Sequence, residues 1–407
     1  MSTHETEDVL VVGAGPVGMS AALALNARGV PVRILEADPE DRGRPGSRAI
    51  YVHGTTLRTL ERVQPGLGER LAEEGLVWPT RRTLWQGEEV FSRTYPDAGG
   101  SEGLPHFTSI PQVRTEEFLL DALREEDIAI EWESPVDSVE TSEDGVTLET
   151  EDGEGYAADY VVGADGAGSQ VRKEIGVEMS GSQSEQPFII ADVEKFEENP
   201  RPDERVFHYG HPGVDGRNVV LVPMAGRWRF DITCRPGDDA EQMSSDEGIS
   251  ELIAATLGER YRDRVSWVSS YQFKQVVADS FVDDHRRALL VGEAAHLFAP
   301  FGARGMNSGI ADADAAASAV AVALRSRPAV AEYEVENFAA QRETAAEWNT
   351  NAAAEALDYL QGKSLSARIQ KRVAAELAPY SERAGEWLDE APYGPSGGPP
   401  LVTGSKY

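Results

Sequence analysis

The sequence predicts an α/β protein of two lobes followed by C-terminal helices, and three observations predict it. First, a short apolar run, a small-residue helix and a second apolar run follow one another between Val9 and Glu36. Second, from about 178 to 285 apolar and polar residues alternate in short runs, the pattern of an antiparallel sheet with one covered face. Third, a buried-strand pattern returns at 288–292 and leads through a Gly-rich loop into an Ala-rich helix, so the first lobe is discontinuous in the chain. At 407 residues the chain exceeds the size at which one core keeps growing, which also favours two lobes around a cleft. The expected division is 1–177 plus 286–330 for the first lobe, 178–285 for the sheet lobe, and 331–407 for helices and a Pro/Gly-rich tail.

In chain order, 9–12 reads as a buried strand. Gly13, Gly15 and Gly18, with Pro16 between them, then form G-x-G-x-x-G before a helix over 19–28. In this Rossmann-like context Gly13 permits the tight turn, Gly15 lets a pyrophosphate reach the backbone, and Gly18 lets helix and strand pack closely. The free N–H groups at the helix start attract phosphate. Glu36 ends the second strand, where its carboxylate accepts hydrogen bonds from a ribose 2′-hydroxyl and repels a 2′-phosphate. The expected dinucleotide is therefore FAD or NAD. A helix is expected near 55–63, an N-capped helix over 115–123, a β-rich stretch over 128–150 and a buried strand at 160–163. Strands of the second lobe are expected at 188–193, 206–209, 219–223, 228–233 and 267–276, then helices over 306–325 and 331–378, and an irregular tail at 392–400.

Seventy acidic against 38 basic residues give a net charge of −32. Such a surface repels phosphate backbones and anionic lipid, so neither nucleic acid nor a membrane is an expected partner. No apolar run approaches the roughly 18 residues of a membrane span. The single cysteine, Cys234, cannot form an intramolecular disulfide, and the first residues are polar and acidic, so a cytoplasmic protein is expected, with no metal site.

Two further motifs narrow the reading: Tyr160-Val-Val-Gly-Ala-Asp-Gly-Ala-Gly-Ser-Gln-Val-Arg172, and Ala288-Leu-Leu-Val-Gly-Glu-Ala-Ala-His-Leu-Phe-Ala-Pro-Phe-Gly-Ala-Arg-Gly-Met-Asn307. With the N-terminal fingerprint they resemble, in order and spacing from about 9 to 360, the three signatures of the class A flavoprotein aromatic hydroxylases, the para-hydroxybenzoate hydroxylase type. The resemblance implies a glutathione-reductase-type lobe with noncovalent FAD, NADH or NADPH as a transient reductant without a domain of its own, and the short form that lacks a thioredoxin-like C-terminal domain.

The resemblance also implies roles. It sets Asp165 and Gly166 on the pyrophosphate side. Gly292 and Glu293 fall at the ribityl chain, where the family usually has Asp. Backbone N–H groups of Gly305, Met306 and Asn307 face the flavin pyrimidine edge, and Pro300 lies beside the reactive edge of the ring. Arg48 and Arg114 match positions where the family puts Arg or Gln against FAD. His296 reads as a packing residue, Arg304 as a solvated loop residue, and Asp312 and Asp314 as the exposed edge of a helix. Ala315-Ala-Ala-Ser-Ala319 replaces the Asn-Leu-x-Trp-Lys that commonly follows, a departure of subfamily and not of fold.

The implied activity is hydroxylation of an electron-rich phenolic or polyketide-like aromatic ring with NAD(P)H and O₂ through a flavin C4a-hydroperoxide. The same fold also serves Baeyer-Villiger and epoxidising oxygenases and flavin dehydrogenases or reductases. Substrate contacts are sought among His208, Tyr209, His211, Arg229, Asp231, Tyr271 and Gln272, which lie on the expected sheet or its turns. Strand alternation turns about half of them toward the cleft. Neither the residue that ionises a phenol nor the oligomeric state carries a sequence signal.

Overall fold

The computed structural model describes residues 7–43, 46–95, 103–184, 186–362 and 365–394. β1 (Glu7–Val12), α1 (Pro16–Asn26) and β2 (Val32–Leu35) form the expected opening unit. Val9, Leu10 and Val11 are fully buried in a sheet covered on both faces, and Pro16 starts α1, where its missing N–H loses no bond. β3 (Tyr51–His53), α2 (Gly54–Val63), α3 (Leu67–Glu74), β4 (Thr80–Trp85), β5 (Glu88–Thr94), β6 (Phe107–Ser109) and α4 (Gln112–Glu125) follow. α4 begins three residues before the expected Thr115, which is buried inside the helix and does not cap it. β7 (Ile130–Glu131), a hairpin of β8 (Val136–Ser142) and β9 (Gly145–Thr150), β10 (Gly155–Gly163) and α5 (Gln170–Glu174) complete the first segment.

The second segment holds β11 (Met179–Gln183), β12 (Phe188–Glu194), β13 (Arg205–His211), β14 (Arg217–Met224), β15 (Arg227–Thr233), α6 (Ala240–Ser244), α7 (Asp246–Leu257), β16 (Val265–Tyr271) and β17 (Lys274–Ala278). The chain then returns with β18 (Ala288–Leu290), β19 (His296–Leu297), α8 (Arg304–Ala323), α9 (Pro328–Gln361), α10 (Leu365–Leu377) and α11 (Glu382–Glu390). Of the expected irregular tail, residues 395–400 lie outside the described residues.

In the first sheet the order is β7-β2-β1-β10-β9-β8, with β18 also on β10. β1 runs parallel to β2 and β10, and β10 parallel to β18, where Val161 lies opposite Ala288, 127 residues downstream, so a distant strand completes the nucleotide-binding sheet. α1 packs between this sheet, α8 and α4. The second sheet runs β16-β12-β15-β14-β13-β4-β5. Two expectations are corrected here. β4 and β5 come from the stretch assigned to the first lobe, yet β4 pairs in parallel with β13 and extends the second sheet. The single strand expected at 267–276 is two strands, β16 in the large sheet and β17 in a three-stranded sheet with β11 and β19.

Alternation decides which side chains reach the site. On β12, β14 and β15, Ile189, Ala191, Val193, Val219, Leu221, Trp228, Phe230 and Ile232 pack against α7 residues Ile249, Ile253 and Leu257. The intervening residues, among them Phe188, Ile190, Val220, Val222, Arg229, Asp231 and Thr233, face the other lobe.

Candidate active site

One continuous cleft of about 1250 Å³ runs between the two sheets. At one end lie Gly13, Gly15, Pro16, Glu36 and Arg42. The three fingerprint glycines divide their work. A Cβ on Gly13 (φ +103°) would stand 2.5 Å from the Ala164 carbonyl oxygen, and one on Gly18 would stand 1.8 Å from that of Gly13. A Cβ on Gly15 meets nothing within 4 Å and would point into open cleft. No side chain caps α1, so its first N–H groups remain for a ligand. Glu36 accepts from the Ala14 N–H at 2.5 Å and the Asp38 N–H at 3.0 Å and pairs with Arg42 at 2.7 Å. Burial opposes its charge, yet these donors hold its carboxyl below the usual range. Asp165 and Gly166 (φ +76°) also line the cleft, but both Asp165 oxygens serve the protein, accepting from Ser169 Oγ and from the N–H groups of Gln170 and Val171 at 2.5–3.0 Å.

At the middle, Pro300, Phe301 and Gly302 lead into α8, whose Ala303 N-cap is left-handed (φ +52°) and gives no side-chain cap. Gly305 and Met306 line the cleft there. Asn307 does not: it accepts from His53 N and Thr56 Oγ and donates to the carbonyls of Tyr51 and Ala303, tying α8 to β3. Glu293 lines the cleft and is exposed to it; desolvation by the surrounding protein raises its carboxyl, with His296 and Arg48 opposing. Gly292 lies behind it, its N–H on Asp312 Oδ2 at 3.1 Å. Asp312 is not the exposed residue expected. It is fully buried, accepts from His296 Nε2 and Arg342 Nε at 2.6 Å each, and its carboxyl is pushed down to about 2 despite burial. Asp314 pairs with Arg28 and Arg62. Arg304 is likewise buried rather than solvated, donating to Asn349 Oδ1 at 2.9 Å and the Tyr393 carbonyl at 3.2 Å.

Arg48 lines the cleft in a left-handed conformation (φ +51°). Arg114 does not reach it: its guanidinium pairs with Glu74 and Glu117 and covers Phe118, and Gln112, two residues earlier, takes the cleft position. His53, which sequence reading missed, also lines the cleft; burial and Arg304 push its imidazole down to about 4, leaving it neutral at pH 7.

The other end is a wall of Phe188, Ile190, Phe207, Val220, Trp267, Tyr271, Phe273 and Phe301. Of the seven expected contacts, Arg229, Asp231 and Tyr271 face it, and Arg229 Nε donates to Asp231 Oδ1 at 2.6 Å. The other four do not line it. His208 and His211 pack on each other, Gln272 is held by Gln183, and Tyr209 is covered by α11, its hydroxyl on the Leu388 carbonyl at 2.6 Å. Missed entirely was the far end, where Asp389 of α11 sits between Arg205 at 2.7 Å and Arg81 at 3.1 Å, with Glu390 and Tyr393 facing the cleft.

Comparison with known proteins agrees with this geometry. A family model described as an FAD binding domain matches residues 6–347. The 6-methylpretetramide 4-monooxygenase of Streptomyces rimosus is 30% identical over 311 residues, 75% of this chain and 54% of that protein. The para-nitrophenol 4-monooxygenase of Pseudomonas sp. (strain WBC-3) is 28% identical over 322 residues, 76% of each chain. A crystal structure of p-nitrophenol 4-monooxygenase from Pseudomonas putida DLL-E4 shares the fold, with a TM-score of 0.79, 23% identity, and 97% of this chain and 99% of that one covered. The chain spans only 54%, 65% and 61% of the length of the first three curated relatives it matches. No helix among the described residues is long and apolar enough to cross a membrane. Open backbone at Gly15, two long helices that start uncapped in one cleft, and a family match over most of the sequence lead to one conclusion: the chain belongs to the FAD-binding-domain family, that of the class A flavoprotein monooxygenases.

Proposed function

We propose that this protein is a cytoplasmic FAD monooxygenase that hydroxylates an electron-rich phenolic or polyketide-like ring with NADH or NADPH and O₂. The observation that carries the reading is one cleft with the bare N-terminus of α1 at one end, that of α8 at its middle and an aromatic wall with the Arg229–Asp231 pair at the other end. The named relatives act on a pretetramide and a nitrophenol, which supports a phenolic ring of one or several cycles.

When bound, FAD supplies the redox and oxygen chemistry. The chain's own residues bind, orient and exclude water. The α1 N–H groups and the open Gly15 backbone take the pyrophosphate, Glu36 the ribose and Glu293 the ribityl hydroxyls. The first turn of α8 at Gly305 and Met306, uncapped on the cleft, would offer N–H groups and the positive helix end to the flavin ring, where negative charge is favoured. Pro300 to Gly302 line the cleft beside this turn and would border the bound flavin, while Phe188, Trp267, Phe273 and Phe301 would enclose the substrate ring and keep water out. Arg229 Nη2, without a partner among the described residues, is placed to donate to a hydroxyl or carboxylate oxygen on that ring.

The test is a panel of para-nitrophenol, 3-(3-hydroxyphenyl)propionate and the anthraquinone phenol alizarin, incubated with holoenzyme, NAD(P)H and ¹⁸O₂. One labelled oxygen on a ring carbon is expected. NAD(P)H oxidation without label in any product would overturn the reading in favour of a reductase, and a ring-expanded product in favour of insertion.

A further inference from the structure

One row of the large sheet grips one loop of the cofactor lobe. Trp267, Asp192 and Arg229 are direct cross-strand neighbours on β16, β12 and β15, and they meet three successive residues. A Cβ on Gly46 (φ +79°) would stand 2.2 Å from the Trp267 ring. Ser47 donates its N–H to Asp192 Oδ2 at 2.8 Å and its hydroxyl to Oδ1 at 2.6 Å. Arg229 Nη1 donates to the Arg48 carbonyl. From the other side, Gln112 of α4 donates its N–H to the Ser47 carbonyl at 2.9 Å.

Access to the cleft, more than burial, separates the middle of this row from its ends, since Arg229 is itself only 6% exposed. Asp192 and Ser47 are 0% and 1% exposed, whereas Trp267 and Arg229 also line the cleft. A buried carboxylate carries a desolvation penalty that a simple loop tie does not require, and burial raises the Asp192 carboxyl against the pull of Ser47 and Arg229. A left-handed arginine persists only where its surroundings over-determine it. Here the result is an Arg48 side chain on the cleft, with no hydrogen-bond partner among the described residues and close enough to Glu293 to favour its charge.

We infer that Asp192 is a positioning residue: through Ser47 it fixes Arg48 on the cofactor side of the cleft, and through Arg229 and Trp267 it makes that fixation respond to an aromatic ligand bearing an acceptor oxygen. The inference rests on the proposed function in that the substrate ring lies on this wall. A ring oxygen on Arg229 Nη2 and a ring face on Trp267 immobilise both ends of the row, so the loop is tightest when substrate is present.

The test uses FAD-loaded full-length protein. In Asp192→Asn the amide accepts from Ser47 with only one atom. Ser47→Ala removes the hydroxyl bond alone and serves if Asp192→Asn does not fold. Amide exchange of the peptide over 46–49 is expected to quicken about tenfold in Asp192→Asn and less in Ser47→Ala. The factor by which the most effective panel ring accelerates flavin reduction is expected to fall about tenfold, a difference of 1.4 kcal/mol in state preference. Rescue of both by Asp192→Glu supports the inference. Unchanged exchange overturns the tie, and faster exchange with undiminished acceleration overturns the coupling. If no ring accelerates reduction of the wild type, the coupling is overturned; if no ring is labelled either, the proposed function fails as well, and exchange alone then decides whether Asp192 holds the loop.

Discussion

Gly15 and Gly18 stand three residues apart and fail in different ways when a methyl group is added. At Gly18 the methyl would lie 1.8 Å from a backbone oxygen, so Gly18→Ala is expected not to fold. At Gly15 the backbone is extended (φ −75°) and the space open, so Gly15→Ala is expected to keep the melting temperature of the apoprotein while losing about tenfold or more in FAD affinity. Titration of apoprotein decides, and wild-type affinity in Gly15→Ala would remove Gly15 from the phosphate site. Asp312 makes a pH prediction. Its carboxyl is lowered, so it contributes stability that is complete above the unfolded value near 4 and fades as pH falls toward about 2. Asp312→Asn removes the buried carboxylate that Arg342 and His296 both contact and is expected to cost about 3–5 kcal/mol at pH 7, a gap that narrows below pH 4. A gap constant from pH 7 to 3 in denaturation curves would contradict that assignment. Gly13 and Gly18 were legible because local backbone geometry forces them, and Glu36 because it directly follows β2, where its carboxylate meets the Ala14 N–H. Gln112 in place of Arg114, and the burial of Asp312 and Arg304, were not, because helix phase and the packing of α8 against α9 decide them.

Among the elements, the five strands from β12 to β16 were legible from alternation, apart from the break at Gln272 that sends β17 to another sheet. β4 and β5 were not, because their alternation carries no sign of which sheet they join. Their place follows from a parallel pairing with β13 more than 100 residues away. α11 was hidden in the same way. It is held by Asp389, which accepts from Thr83 Oγ of β4 at 2.8 Å and pairs with Arg205 of β13. Asp389→Ala leaves Arg205 buried and unpaired and is expected to destabilise the protein by about 3–5 kcal/mol. Because Glu390 and Tyr393 follow on the cleft wall, the variant is also expected to raise KM for the aromatic ring and to expose 378–394 to proteolysis. Unaltered KM and protease resistance would show that α11 is held by apolar packing alone.

At the scale of the whole molecule, the net charge of −32 acts as a self-repulsion that salt screens. The Debye length falls from about 10 Å at 0.1 M to about 3 Å at 1 M. The melting temperature is therefore expected to rise with KCl over that range; a flat profile would mean that local pairs such as Arg82–Glu204 and Arg217–Asp238 already neutralise the repulsion.

The chain enters the second lobe along β11 and leaves it along β17, and these strands pair with Met179 opposite Ala278. Two neighbouring crossing points invite exchange of everything between them as a cassette. Yet such a transplant would set β13 against a β4 inherited from another member, and would leave behind the helix that closes the far end of the cleft. Recombining substrate specificity between members of this family therefore calls for three co-inherited pieces, 80–94, 186–273 and 382–394. A chimera made from the middle piece alone is expected to melt below both parents, because β13 then pairs with a β4 whose side chains it does not match.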